Sequence, residues 1–226
     1  MIRFENVYKR YPSGREALRG VSFELRRGEM AFLTGPSGAG KSTLLKLVTL
    51  IEKPTRGTII VNGQNTSRVS RRGIPRFRQR IGVVFQDHKL LYDRSVFDNV
   101  ALPLVIIGLR PREIARRVRA ALDQVGLLGR ERHAPITLST GEQQRVGIAR
   151  AVASRPDVVV ADEPTGNLDP ELSLEIMRLF ERFNEVGVTL LIATHDLELI
   201  ERLGRRRLRL IDGQLGTDMP SGAARA

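Results

Sequence analysis

Residues 35 to 42 read Gly35-Pro36-Ser37-Gly38-Ala39-Gly40-Lys41-Ser42, and Thr43 follows. Glycines at this spacing let a backbone curl until several N–H groups point inward, a cradle suited to phosphate oxygens. Lys41 sits where an ammonium could reach terminal phosphates. The Ser42 hydroxyl suits Mg²⁺, and Thr43 is placed to donate to an inner phosphate. A second constellation lies at 158–164, where an apolar run ends in Asp162 and Glu163, followed by Pro164. Mg²⁺ keeps much of its water shell, so Asp162 could hold it through that shell. Glu163, one residue on, could polarise an attacking water as general base. Adjacent acidic residues are common on surfaces, and it is the pairing with the glycine loop that gives these two chemical meaning.

Both constellations need elements to hold them. Residues 29–34 form an apolar run entering the loop, and 41–50 have the pattern of a helix leaving it, so the loop joins strand to helix. The helix adds its positive N-terminal end to the cradle. Runs at 157–161 and 188–193 are continuous and β-branched, as in parallel strands covered on both faces. The helical stretch 170–186 between them completes a strand–helix–strand unit. Residues 2–5 and 21–25 alternate apolar and polar, as half-exposed antiparallel strands do. A strand is expected at 58–61, ending in the tight turn Asn62-Gly63, with others at 81–85 and 207–211. From about 87 to 153 the pattern turns helical. There Pro111 can open a helix whose apolar positions Ile114, Val118, Ala121, Leu122 and Val125 recur at helical spacing before Gly126.

Composition narrows the class. The 226 residues suffice for one sizeable α/β domain. There is no cysteine, which excludes disulfides, thiolate metal sites and a cysteine nucleophile. No stretch approaches the ~20 apolar residues that span a bilayer, and the first residues lack the apolar region of a secretory signal. The net charge is +12, with arginines clustered near 68–80, 110–119 and 202–209. A solvated basic surface accounts for them; anionic lipid headgroups or nucleic acid are the sharper readings, and charge alone does not choose.

Four further pieces stand in order around the two constellations. Gln86 ends the strand at 81–85. Leu138-Ser139-Thr140-Gly141-Glu142-Gln143-Gln144-Arg145 precedes the carboxylates, Asn167-Leu168-Asp169 follows them, and His195 follows the strand at 188–193. The ordered set resembles the ABC ATPases over nearly the whole chain. The resemblance implies an α/β P-loop NTPase fold: a mixed, RecA-like sheet core, an antiparallel β subdomain and an inserted helical signature subdomain at about 87–153. The whole would be one domain spanning 1–226, with a loose tail at 219–226. It implies ATP hydrolysis with Mg²⁺, with Ser42, Gln86 and Asp162 around the metal. Gln86 would also contact the lytic water, and His195 would bond the γ-phosphate. Tyr11 matches the aromatic that stacks on adenine. Ser139, Gly141 and Glu142 belong to the signature that caps the ATP of a second copy, with Asp169 linking the copies. Two chains packed head to tail would sandwich two ATPs, so a homodimer is expected when ATP is bound.

The signature departs from the family pattern Leu-Ser-Gly-Gly-Gln at Thr140 and Glu142. Thr140 would matter if its position required a positive φ angle. Further stretches, at 30–35, 85–91, 99–104, 141–152, 161–169 and 183–189, resemble the cell-division branch of the family. That branch implies an integral membrane partner at the cytoplasmic side of the bacterial inner membrane. It also implies contact with division-machinery proteins, a signal to peptidoglycan hydrolases rather than solute movement, and no specific nucleic acid. Residues 88–91 would line the groove for a cytoplasmic helix of the membrane partner. Most of these motifs also fit an ATPase of the lipoprotein-release or macrolide-export type. A soluble ABC protein acting on nucleic acid or ribosomes would usually carry two cassettes, and a non-catalytic scaffold fits poorly with Lys41, Asp162, Glu163 and His195 all present.

Overall fold

The computed structural model of the chain describes residues 1–216; the tail expected at 219–226 lies outside the described residues. In chain order the strands are β1 (Ile2–Arg10), β2 (Glu16–Leu25), β3 (Met30–Thr34), β4 (Arg56–Val61), β5 (Gln64–Asn65), β6 (Ile81–Val84), β7 (Val158–Asp162), β8 (Thr189–Ala193), β9 (Arg206–Ile211) and β10 (Gln214–Leu215). The helices are α1 (Lys41–Val48), α2 (Ile74–Arg78), α3 (Val96–Ile106), α4 (Pro111–Gln124), α5 (Thr140–Val152), α6 (Pro170–Glu185) and α7 (Leu197–Leu203).

The strands form two sheets. One is four-stranded and antiparallel, in the order β2-β1-β4-β5; the other is six-stranded, in the order β10-β9-β3-β8-β7-β6. In the larger sheet β9, β3, β8, β7 and β6 run parallel, and β10 pairs antiparallel at the edge. The mixed core and the antiparallel subdomain are thus as expected. Asn62 and Gly63 turn β4 into β5 with φ of 51° and 76°, the primed geometry that Asn-Gly favours. Strand β1 runs further than its alternation suggests, because Asn6 at φ 48° shifts the register and lets pairing resume.

The sheet is covered on both faces. Met30 and Phe32 of β3 face one core with Val84, Val159, Leu190 and residues of α3 to α6. Ala31 and Leu33 face the other, with α1 and the inner side of the antiparallel sheet. This is why β3, β7 and β8 read as unbroken apolar runs rather than alternating ones. Helix α3 keeps Pro103 in its interior. The fully buried Asn99 of α3 donates to the carbonyls of Leu91 (2.9 Å) and Ser95 (2.9 Å) and accepts from the Leu91 N–H (2.8 Å). The loop after β6 is thereby fastened to α3.

Candidate active site

The glycine loop leaves β3 at Thr34 and enters α1 at Lys41. Two of its glycines are required by the backbone around them. A Cβ on Gly35 (φ 148°) would lie 2.1 Å from the Leu210 carbonyl oxygen, and one on Gly40 (φ 110°) 2.4 Å from that of Ala17. No shift of a side chain relieves either clash, so the loop is seated between β9 and β2 only as glycine. Gly40 caps α1 without a side-chain acceptor, so no cap side chain competes for the first-turn N–H groups. Ala39 instead turns inward and packs in the core.

The loop gathers its cations closely. Lys41 Nζ donates to the carbonyls of Gly35 (2.7 Å) and Pro36 (3.3 Å). Arg15, from the turn between β1 and β2, donates to the Gly38 carbonyl at 3.0 Å. Nothing in the local pattern around Arg15 marks it, since its partner is 23 residues away. Tyr11, just past β1, has its hydroxyl 3.2 Å from Thr43 Oγ1. The ammonium of Lys9 stands 4.9 Å from the centre of the Tyr11 ring.

Opposite the loop, β7 delivers Asp162 and Glu163. Glu163 has φ 48°, an uncommon conformation for a residue with a Cβ, and its N–H is held by the Ala193 carbonyl at 2.9 Å. Its carboxylate is 2.8 Å from His195 Nδ1 through one oxygen and 3.9 Å from Lys41 Nζ through the other. The Lys41 and Glu163 side chains are 11% and 12% exposed, whereas that of His195 is 71% exposed. An ion pair so screened from water acts at a lower effective dielectric than a surface pair. Loop, carboxylates, Gln86 and His195 line one cleft of about 610 Å³, together with Ser42 and Thr43.

Ser139, Gly141 and Glu142 do not line this cleft. They begin α5, where the Ser139 hydroxyl accepts from the Glu142 N–H (3.2 Å) and the Glu142 carboxylate accepts from the Ser139 N–H (2.9 Å). That reciprocal cap holds the Glu142 carboxyl below its usual range. Thr140 is the first residue of the helix and is not among the residues with positive φ, so its Cβ costs no backbone strain. A Cβ on Gly141 would meet Leu172 Cδ2 at 2.3 Å. The start of α6, capped by Asp169 through the Leu172 N–H (2.9 Å), thus lies directly against the signature.

The family model for ABC transporter matches residues 18–166, from β2 through the glycine loop and the signature to the carboxylates. The chain belongs to the ABC transporter family, as an ATP-hydrolysing ABC ATPase. Within that family it is similar to the cell division ATP-binding protein FtsE of Escherichia coli (strain K12), at 60% identity over 95% of this chain and 97% of the relative. The FtsE of Bacillus subtilis (strain 168) is 46% identical over 98% of this chain and 97% of its own. Among solved structures, the dimeric, post-hydrolysis ATP-binding cassette MJ0796 bound to ADP and Pi superposes with a TM-score of 0.89 at 34% identity, covering 97% of this chain and 98% of that one.

Proposed function

We propose that the cleft binds ATP with Mg²⁺ and hydrolyses it, and that the observation carrying this reading is the Lys41–Glu163–His195 cluster facing the glycine loop. The loop amides and Lys41 bind the polyphosphate, exchanging the Gly35 and Pro36 carbonyls for phosphate oxygens. Tyr11 stacks on adenine, steadied by Thr43 and Lys9. Glu163 takes the proton of the attacking water, and His195 orients both Glu163 and the terminal phosphate. The donors near the metal position are oxygens of Ser42, Gln86 and Asp162. This set fits Mg²⁺, which favours one or two carboxylates plus phosphate and water. When bound, Mg²⁺ supplies charge neutralisation for the transferred phosphoryl group.

Ser139 and Gly141 cap the ATP of a second copy, because they lie outside their own cleft and at a helix start. Glu142 holds that helix start in place through its cap with Ser139, and its carboxylate would repel a γ-phosphate. Residues 87–153 act as the helical subdomain that carries the signature to the partner copy, and Asp169 stands at the junction. Glu163→Gln tests the site: ATP affinity is retained, turnover falls about 100-fold or more, and the chain accumulates as a dimer with ATP by light scattering. Ordinary turnover in that variant would remove Glu163 as the base.

The biological setting follows the relatives. The identity to FtsE extends along nearly the full length, and no helix among the described residues is long and apolar enough to cross a membrane. We therefore place the chain as the ATPase of an FtsEX-like complex in bacterial cell division. It sits at the cytoplasmic side of the inner membrane through an FtsX-like partner, and its dimer cycle signals towards peptidoglycan hydrolases. Of residues 88–91, expected to line the groove, His88 and Leu90 are buried in the fold; Leu91, with Tyr92, Leu102, Val105 and Ile106, each more than a third exposed, forms the apolar seat for a helix of that partner. Co-purification from solubilised membranes tests this: recovery of a four-span membrane protein with a large external loop supports it, and recovery of the chain alone counts against it.

A further inference from the structure

The loop after Gln86 has a feature that the site chemistry leaves unexplained. His88 (φ 56°) and Lys89 (φ 48°) are consecutive left-handed residues, although neither is glycine. Single residues visit that region, but adjacent pairs need support from outside. The support comes from α5. Arg150 donates through Nη1 to the Lys89 carbonyl (2.6 Å) and through Nη2 to the His88 carbonyl. A planar fork suits two neighbouring acceptors. Its bonds go to peptide carbonyls, and no carboxylate pairs with it among the described residues. On the same helix the buried Gln144 side chain bears on the buried His88 ring.

Arg150 and the signature belong to one helix. Ser139 caps α5, and Arg150 stands ten residues inside it, about 15 Å along a rigid rod. We propose that Arg150 is a positioning residue for Gln86. It ties the loop carrying Gln86 to the helix whose other end presents Ser139 and Gly141, so that movement of the signature resets Gln86 in the cleft. The proposal rests on the reading that Gln86 acts on the lytic water. It adds the link by which one helix answers to both nucleotides of a dimer, without requiring a direct contact between the two motifs.

A double-mutant cycle on the full-length chain tests it, with Gln86→Ala, Arg150→Gln and the pair. Arg150→Gln lowers kcat roughly tenfold to a hundredfold while ATP affinity stays within about twofold, since Lys41 and the loop amides are untouched. The double variant turns over no more slowly than Gln86→Ala. Hydrogen exchange of the amides around His88 and Lys89 quickens in Arg150→Gln, and Arg150→Lys restores part of kcat by keeping one bond. Additive losses, or unchanged exchange, would overturn the proposal. If Gln86→Ala keeps normal turnover, the reading of Gln86 itself fails, which the cycle separates from a failure of Arg150 alone. Should Arg150→Gln not fold, the same cycle run with Arg150→Lys decides the matter by the same criteria.

Discussion

Individual residues in this chain often serve the site by holding the backbone rather than by touching a ligand. Gly35 and Gly40 carry no chemistry, yet a methyl at either position would strike a carbonyl. His88 belongs to the same group. Burial keeps its imidazole below the usual value of 6.5, so the folded chain holds it neutral where the unfolded chain begins to protonate. The sign follows: stability is complete above about pH 6.5, is lost as the pH falls and the unfolded state takes up its proton, and levels off below the folded-state value. We expect the melting temperature to fall between pH 7 and about pH 5.5 by more in the wild-type chain than in His88→Asn, which accepts a left-handed backbone but cannot titrate. Equal slopes in the two proteins would exclude His88 as the source.

Elements explain why the altered signature is compatible with the fold. The Ser139 and Glu142 cap starts α5, so Thr140 enters with ordinary helical geometry and needs none of the freedom of glycine. Thr140→Gly therefore changes stability by less than about 1 kcal/mol and turnover by less than about twofold. A large gain in turnover on introducing glycine would show that the position does need a backbone threonine resists. Much at this scale was legible in the residues. Strands β3, β7 and β8 announced themselves as apolar runs, and α4 by its periodicity between Pro111 and Gly126. Helix α3 was harder, since Pro103 interrupts it and its apolar residues serve both the core and an exposed face. The short α2 and α7 have too few turns for periodicity to identify them.

The whole molecule carries +12, and several of its arginines are engaged with groups of the fold. Arg78 donates to the carbonyls of Thr49 and Leu50. Arg80 pairs with Asp157 at 2.6 Å, Arg119 with Glu131 at 3.0 Å and Arg205 with Glu181 at 2.9 Å. Cations already paired attract a lipid surface less, and what remains is screened within about 8 Å at physiological salt. We expect the isolated chain to sediment only weakly with protein-free anionic vesicles at that salt, and membrane association to require the protein partner. Strong vesicle binding would return the arginine clusters to a lipid-facing role.

What the sequence alone determined here is the local chemistry: which loop can cradle phosphate, which strand ends in carboxylates, and which strand–helix order must carry them. Those properties depend on residue type and short spacing, and short spacing survives folding. The fold alone decided which distant side chains meet. Arg15 on the glycine loop, the strained backbone of Glu163 held by Ala193, and the hold of Arg150 on the carbonyls of His88 and Lys89 join positions 23 to 62 residues apart. No periodicity spans such separations, because these contacts exist only where packed elements bring their surfaces together.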